Sequence, residues 1–134
     1  MNNNKQKIGI IGAGWWAAVM HIPTLLSNSS AEIAGICATD YTALKKLQDE
    51  FGISYGVEDY RKLLSEVKLD GVIVSSPHTF HYEHAKAALE AGCHVMVEKP
   101  FTTNSKEAKK LVELAAKNNL NLNVSHGWNY MPIA

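Results

Sequence analysis

Short apolar runs alternate along this chain with stretches whose apolar residues recur every three or four positions. Ile8, Ile10 and Ile11 form the first run, which breaks off at Gly12-Ala13-Gly14. A helix-compatible stretch follows from Trp15 to about Ser27, with Pro23 expected to bend or restart it. After the loop Asn28-Ser29-Ser30, Ala31–Cys37 predicts a second strand. Thr42–Phe51 is helical, with Leu44, Leu47 and Phe51 on one face and Gly52 as a stop. A short strand is expected at Ile53–Tyr55, and Asp59 suits the N-cap of a helix over Tyr60–Glu66.

The second half repeats the rhythm. Gly71-Val72-Ile73-Val74-Ser75 is continuously apolar, as in strands buried on both faces of a parallel sheet. A helix is expected from about Thr79 to Ala91, stopped by Gly92, and then a strand over His94–Glu98. Asn104 with Glu107 resembles a capping box for a helix reaching Lys117. A last strand is expected over Asn121–His126. This alternation predicts an α/β fold, a doubly wound parallel sheet of Rossmann type, as a single domain. Ligands of such sheets bind off the carboxyl ends of the strands. The fold should therefore gather Gly12–Trp16, Ala38–Asp40, Ser75–His78, Glu98–Pro100 and Ser125–Asn129 along one edge.

Composition narrows the possibilities. At 134 residues the chain suits one domain with its own core. Lysine plus arginine and aspartate plus glutamate balance at 13 each, which leaves no basic field for nucleic acid. Cys37 and Cys93 lie far apart in apolar surroundings without CxxC spacing, so reduced core thiols are expected. No apolar run reaches membrane-spanning length, and Met1-Asn2-Asn3-Asn4-Lys5 has no signal-peptide character. A cytoplasmic protein with no membrane partner is expected.

The first strand and its glycine turn carry the first chemistry. Lys7–Ala17 reads KIGIIGAGWWA, a G-x-G-x-x-A spacing between a strand and a helix start. Glycine permits a tight turn and close backbone approach, and free N–H groups of a helix start face an anion, as a dinucleotide pyrophosphate requires. The motif alone also fits a tight turn with no ligand. Trp15 and Trp16 either cover the pyrophosphate or pack. NAD domains place a carboxylate after the second strand to hold the adenosine ribose. Here Ala38-Thr39-Asp40 stands there; Asp40 either substitutes or caps the next helix, with the cap favoured. No arginine is present there to hold a 2′-phosphate, which leaves NAD and NADP both open.

Lys99 is the candidate for chemistry. It follows a buried strand and precedes Pro100, where it could donate to a substrate oxygen and assist proton transfer. A solvated surface lysine is the alternative. Glu98 either fixes the nicotinamide ribose or pairs with Lys99. His78, His81 and His84 drift round a helix and do not converge on a metal. His78 and His81 are placed to reach a cofactor, and His84 is read as ordinary helix surface or core.

The segments GAGWWA and DGVIVSSPHTFHYEHAKAALEAGCHVMVEKPF, with the closing strand, resemble the N-terminal domain of the Gfo/Idh/MocA oxidoreductase family over essentially the whole chain. The resemblance implies that Gly12, Gly14, Trp15 and Trp16 line the pyrophosphate. Ser75, Ser76, Pro77, His78 and His81 would lie along the nicotinamide half. Glu98 and Lys99 match the family's E-K-P motif, whose lysine contacts substrate beside the nicotinamide and whose Lys–Pro bond is typically cis. His78 stands where asparagine is frequent, and Ala38-Thr39 replaces the acidic strand ending of NAD users.

Family enzymes continue into a second α/β domain that supplies substrate contacts, a catalytic Asp and His, and most of the homo-oligomer interface. Because the chain stops at Tyr130–Ala134, it is expected to be the cofactor domain alone, with Lys99 its one catalytic residue. The implied function is hydride transfer between NAD or NADP and a sugar, polyol or related hydroxyl compound. A non-catalytic NAD(P)-binding sensor or regulator on the same fold is the alternative. A bare interaction module with no nucleotide is a third.

Overall fold

The structure is a computed structural model and describes residues 4–132. Met1–Asn3 of the opening segment, and Ile133 and Ala134 of the closing one, lie outside the described residues, as does the side chain of Trp128. Six strands form one sheet: β1 Gln6–Ile11, β2 Ala31–Cys37, β3 Gly56–Val57, β4 Gly71–Val74, β5 His94–Glu98 and β6 Leu122–Ser125. Their order is β3-β2-β1-β4-β5-β6, and every pairing is parallel. The chain thus starts in the middle, winds to one side, and crosses over through a helix to wind the other way.

Successive strand residues point to opposite faces, so each strand feeds two cores. Ile10, Ile36 and Ile73 pack on one face with Ala17, Ile22, Leu44 and Leu47. Ile11, Cys37, Val72 and Val74 pack on the other with Leu63, Ala85, Leu89 and Leu111. The helices supplying these partners are α1 Ile22–Leu26, α2 Tyr41–Phe51, α3 Tyr60–Glu66, α4 His81–Glu90 and α5 Ser105–Lys117. Both cysteines are buried free thiols.

The caps form as their residue types require. Asp40 accepts from the Ala43 amide, Asp59 from Arg61 and Asn104 from Glu107. Gly52 and Gly92 end their helices at φ +68° and +83°.

Three expectations need correction. The third strand lies at Gly56–Val57, not Ile53–Tyr55, because Ile53 is buried in the core under α2. The segment after Phe51 joins the sheet three residues later than its apolar pattern suggests. The helix after β4 opens with a 3-10 turn over His78–Phe80, since Pro77 stands in extended geometry before it. The first helix is not uniform either. Ala17–His21 forms a π-helical turn, with the Ile22 amide donating to the Ala17 carbonyl, and α1 follows with Pro23 in its first turn.

Candidate functional site

The turn after β1 is shaped by two glycines with different reasons to be glycine. Gly12 has φ +85°, and a Cβ there would lie 2.3 Å from the Ser76 nitrogen. The fold itself demands it, because the turn lies flat against the backbone leaving β4. At Gly14 a Cβ would meet nothing within 4 Å and would project into an open cleft. No contact within the described residues requires glycine at 14, so the free space there suits the close approach of a ligand.

The amides of Gly12 and Ala13 both donate to the Cys37 carbonyl, at 3.0 and 2.9 Å. Those of Trp15 and Trp16, at the helix start, have no backbone acceptor among the described residues. They are the N–H groups left for an anion, in the geometry that favours phosphate at a helix N-terminus. Trp15 is 75% exposed and Trp16 42%, with their rings 6.0 Å apart.

The cleft measures about 730 Å3, within the range of small-molecule sites. It runs from Gly12–Trp16 past Ala38–Asp40 to Ser75–His78. A smaller hollow of about 210 Å3 adjoins it, running from Trp16, Ser75, Ser76, His78 and His81 to Glu98 and Lys99. Four of the five stretches expected at the carboxyl edge therefore meet. The fifth, Ser125–Asn129, lines neither hollow among the described residues.

Thr39 and Asp40 line the cleft beyond the end of β2. Asp40 Oδ1 is occupied as the α2 cap, 3.0 Å from the Ala43 amide. The cleft is also lined by side chains that the sequence pattern left out of the site, namely Tyr60, Arg61, Phe80, Glu83 and His84. Arg61 bonds Glu83 at 3.3 Å and lies over the Tyr60 ring at 4.6 Å. No spacing rule links these residues; α3 brings Tyr60 and Arg61, and the turn and helix after β4 bring Phe80, Glu83 and His84.

Glu98 does not pair with Lys99. Its Oε1 accepts two hydrogen bonds, from Trp16 Nε1 at 2.9 Å and His21 Nε2 at 2.8 Å. Both donors come from the helix behind the glycine turn, so the first βα unit and the end of β5 are joined at one oxygen. The next residue, Lys99, is exposed and in no ion pair among the described residues, and its bond to Pro100 is cis.

The three histidines after β4 have separate fates. His78 is exposed beside both hollows. His81 is 1% exposed, with Nδ1 2.8 Å from the Pro100 carbonyl and Nε2 2.8 Å from the Ser76 carbonyl. It also lines the smaller hollow, as expected of a residue near the cofactor path, while both ring nitrogens lie at hydrogen-bond distance from backbone carbonyls. His84, expected as ordinary surface or core, lines the cleft and shares a 2.8 Å hydrogen bond between its Nδ1 and Ser76 Oγ. It stacks on Phe80 and tilts against Tyr60. Burial pushes its pKa below the ordinary imidazole value, and Glu83 opposes that shift. Among the described residues no cluster of three or more His, Cys, Asp or Glu could hold a metal ion. Nor is any helix among them long and apolar enough to cross a membrane.

This geometry has counterparts among known proteins. Residues 6–126 match the model of an oxidoreductase family described as having an NAD-binding Rossmann fold. Among curated relatives, the D-glucoside 3-dehydrogenase of Escherichia coli K12 is 35% identical over 117 residues, covering 87% of this chain and 33% of the relative. The NADP-dependent scyllo-inositol 2-dehydrogenase of Bacillus subtilis is 31% identical over 120 residues, covering 90% and 33%. A 3-ketoreductase from Actinomadura kijaniata, solved with NADP, superposes with a TM-score of 0.89 at 31% identity, covering 96% of this chain and 41% of that one. The chain spans about a third of the length of the curated relatives it matches. It belongs to the Gfo/Idh/MocA oxidoreductase family, whose NAD-binding Rossmann domain it matches almost end to end.

Proposed function

We propose that this domain binds NAD or NADP along the carboxyl edge of its sheet and is the cofactor half of an oxidoreductase acting on a sugar, polyol or related hydroxyl compound. The observation that carries this reading is the pair of adjoining hollows from Gly14 to Lys99, which share Trp16, Ser75, Ser76 and His78 and open on a glycine with no packing reason to be one. The Trp15 and Trp16 amides would hold the pyrophosphate. Thr39 and the Asp40 side would border the adenosine ribose, and Ser75, Ser76, Pro77 and His78 would line the path toward the nicotinamide. When bound, the cofactor would supply or accept a hydride.

The chain's own contribution to chemistry would be Lys99. Its ammonium, exposed beside the fixed Glu98, would donate to a substrate oxygen and hold the proton that accompanies hydride movement. Glu98 would accept from ribose hydroxyls. The remaining substrate contacts, a catalytic Asp and His, and the homo-oligomer interface would belong to a second domain, so the domain alone would bind without turnover. Two buried reduced thiols and a dinucleotide ligand suit a cytoplasmic setting.

Calorimetry with NADH and NADPH tests the reading. Binding of at least one in the millimolar range or tighter is expected. Silence for both would overturn it.

A further inference from the structure

Trp16 and His21 stand five residues apart, which on a regular α-helix would place them about 140° from each other. The π-helical turn over Ala17–His21 changes this. Bonding from residue i to i+5 widens the turn, so residues five apart come round to the same side of the helix. Both side chains then reach the same oxygen of Glu98. Turns of this kind are rare and occur often at functional sites.

The pair of bonds does more than tie β5 to the first helix. An ionised carboxylate only accepts, so the ring nitrogen of His21 facing it donates. Charge-assisted bonds of this length hold orientation as well as position. The His21 and Glu98 side chains are 11% and 12% exposed, so water competes little for the contact. Glu98 Oε2 has no partner among the described residues, and Glu98 lines the small hollow with Lys99. One oxygen is anchored and the other is free at the place where substrate chemistry would occur.

We propose that His21 is a positioning residue that, with Trp16, fixes Glu98 so that its free oxygen is presented to the nicotinamide-side ribose of a bound dinucleotide. This rests on the cofactor reading given above. His21 touches no ligand itself. Without it, Glu98 would keep one donor and sample other rotamers, and the nicotinamide end of the ligand would lose a preformed acceptor. The adenosine end, bordered by Thr39, Tyr60 and Arg61, would be unaffected.

The test compares ligands that share the adenosine half. NADH, NADPH and ADP are titrated into the unaltered protein, His21→Leu and His21→Gln, with circular dichroism on each. The glutamine amide can donate from near the position of Nε2. His21→Leu should weaken the tighter-binding dinucleotide about tenfold, the scale of one lost hydrogen bond to a charged group. ADP affinity should stay unchanged, and His21→Gln should recover most of the loss. Equal dinucleotide affinity in His21→Leu overturns the proposal. So does a parallel loss for ADP, or a loss in His21→Gln as large as in His21→Leu. Absence of binding by the unaltered protein overturns the cofactor reading and this inference with it.

Discussion

Trp16 and His21 converge on one carboxylate oxygen at 2.9 and 2.8 Å, and they do so across a π-helical turn. The glycine turn and the Glu98-Lys99-Pro100 segment are therefore mechanically continuous. His81 closes the far side by joining the Pro100 carbonyl to that of Ser76. Lys99, exposed and unpaired among the described residues, lies between two residues whose positions are held. Its freedom is confined to its own side chain.

The two glycines should separate folding from binding. Gly12→Ala places a methyl 2.3 Å from a backbone nitrogen at φ +85°. The backbone conformation alone costs about 1–3 kcal/mol, and the clash adds to it. A clear fall in the urea midpoint is expected. Gly14→Ala meets no protein atom, so its midpoint should match the parent while NADH or NADPH binding weakens. Unchanged dinucleotide affinity would remove Gly14 from the site.

His84 should make stability depend on pH on the acid side. Its folded pKa lies below the ordinary 6.5, so the unfolded chain binds the proton more tightly. Its contribution is complete above about pH 6.5 and is lost as pH falls through the folded value. His84→Asn keeps a polar group toward Ser76 but cannot titrate, and should flatten this part of the profile. Urea midpoints measured between neutral and acid pH would show it.

Cys37 should resist alkylation in the native state. Burial first, and then the Asp59 charge, push its thiol up to about 11. The thiolate, which is the reactive form, is thus scarce near neutrality. Folding holds this proton more tightly than the unfolded chain does, so stability should decline between the ordinary 9.0 and about pH 11. Iodoacetamide labelling at pH 8 should be slow and should accelerate in urea.

Lys99→Ala should leave the urea midpoint and dinucleotide affinity near the parent values, because the side chain is exposed and in no ion pair among the described residues. In a protein carrying the substrate domain as well, turnover should fall by about 100-fold or more, the range of positioned proton transfer. Equal turnover would take Lys99 out of the mechanism.

Much of this molecule follows from local pattern. The strand Ala31–Cys37, the caps at Asp40, Asp59 and Asn104, and the strand His94–Glu98 lie where their residue types place them. Strand and cap signals depend on neighbours within a few positions, and a parallel sheet built from such units has few orders open to it. The family's motifs are equally local, as KIGIIGAGWWA and VEKP show. Packing decided the rest. The α-helical period hides the relation of Trp16 to His21, which exists only because the turn widens. His84 and Arg61 carry no motif and enter the cleft because α3 and α4 converge on one sheet edge. Whether a histidine offers its nitrogens to a ligand or to backbone depends on burial and on which carbonyls lie opposite. Those carbonyls, Ser76 and Pro100 for His81, are 5 and 19 residues away in sequence and within hydrogen-bond reach only in the folded chain.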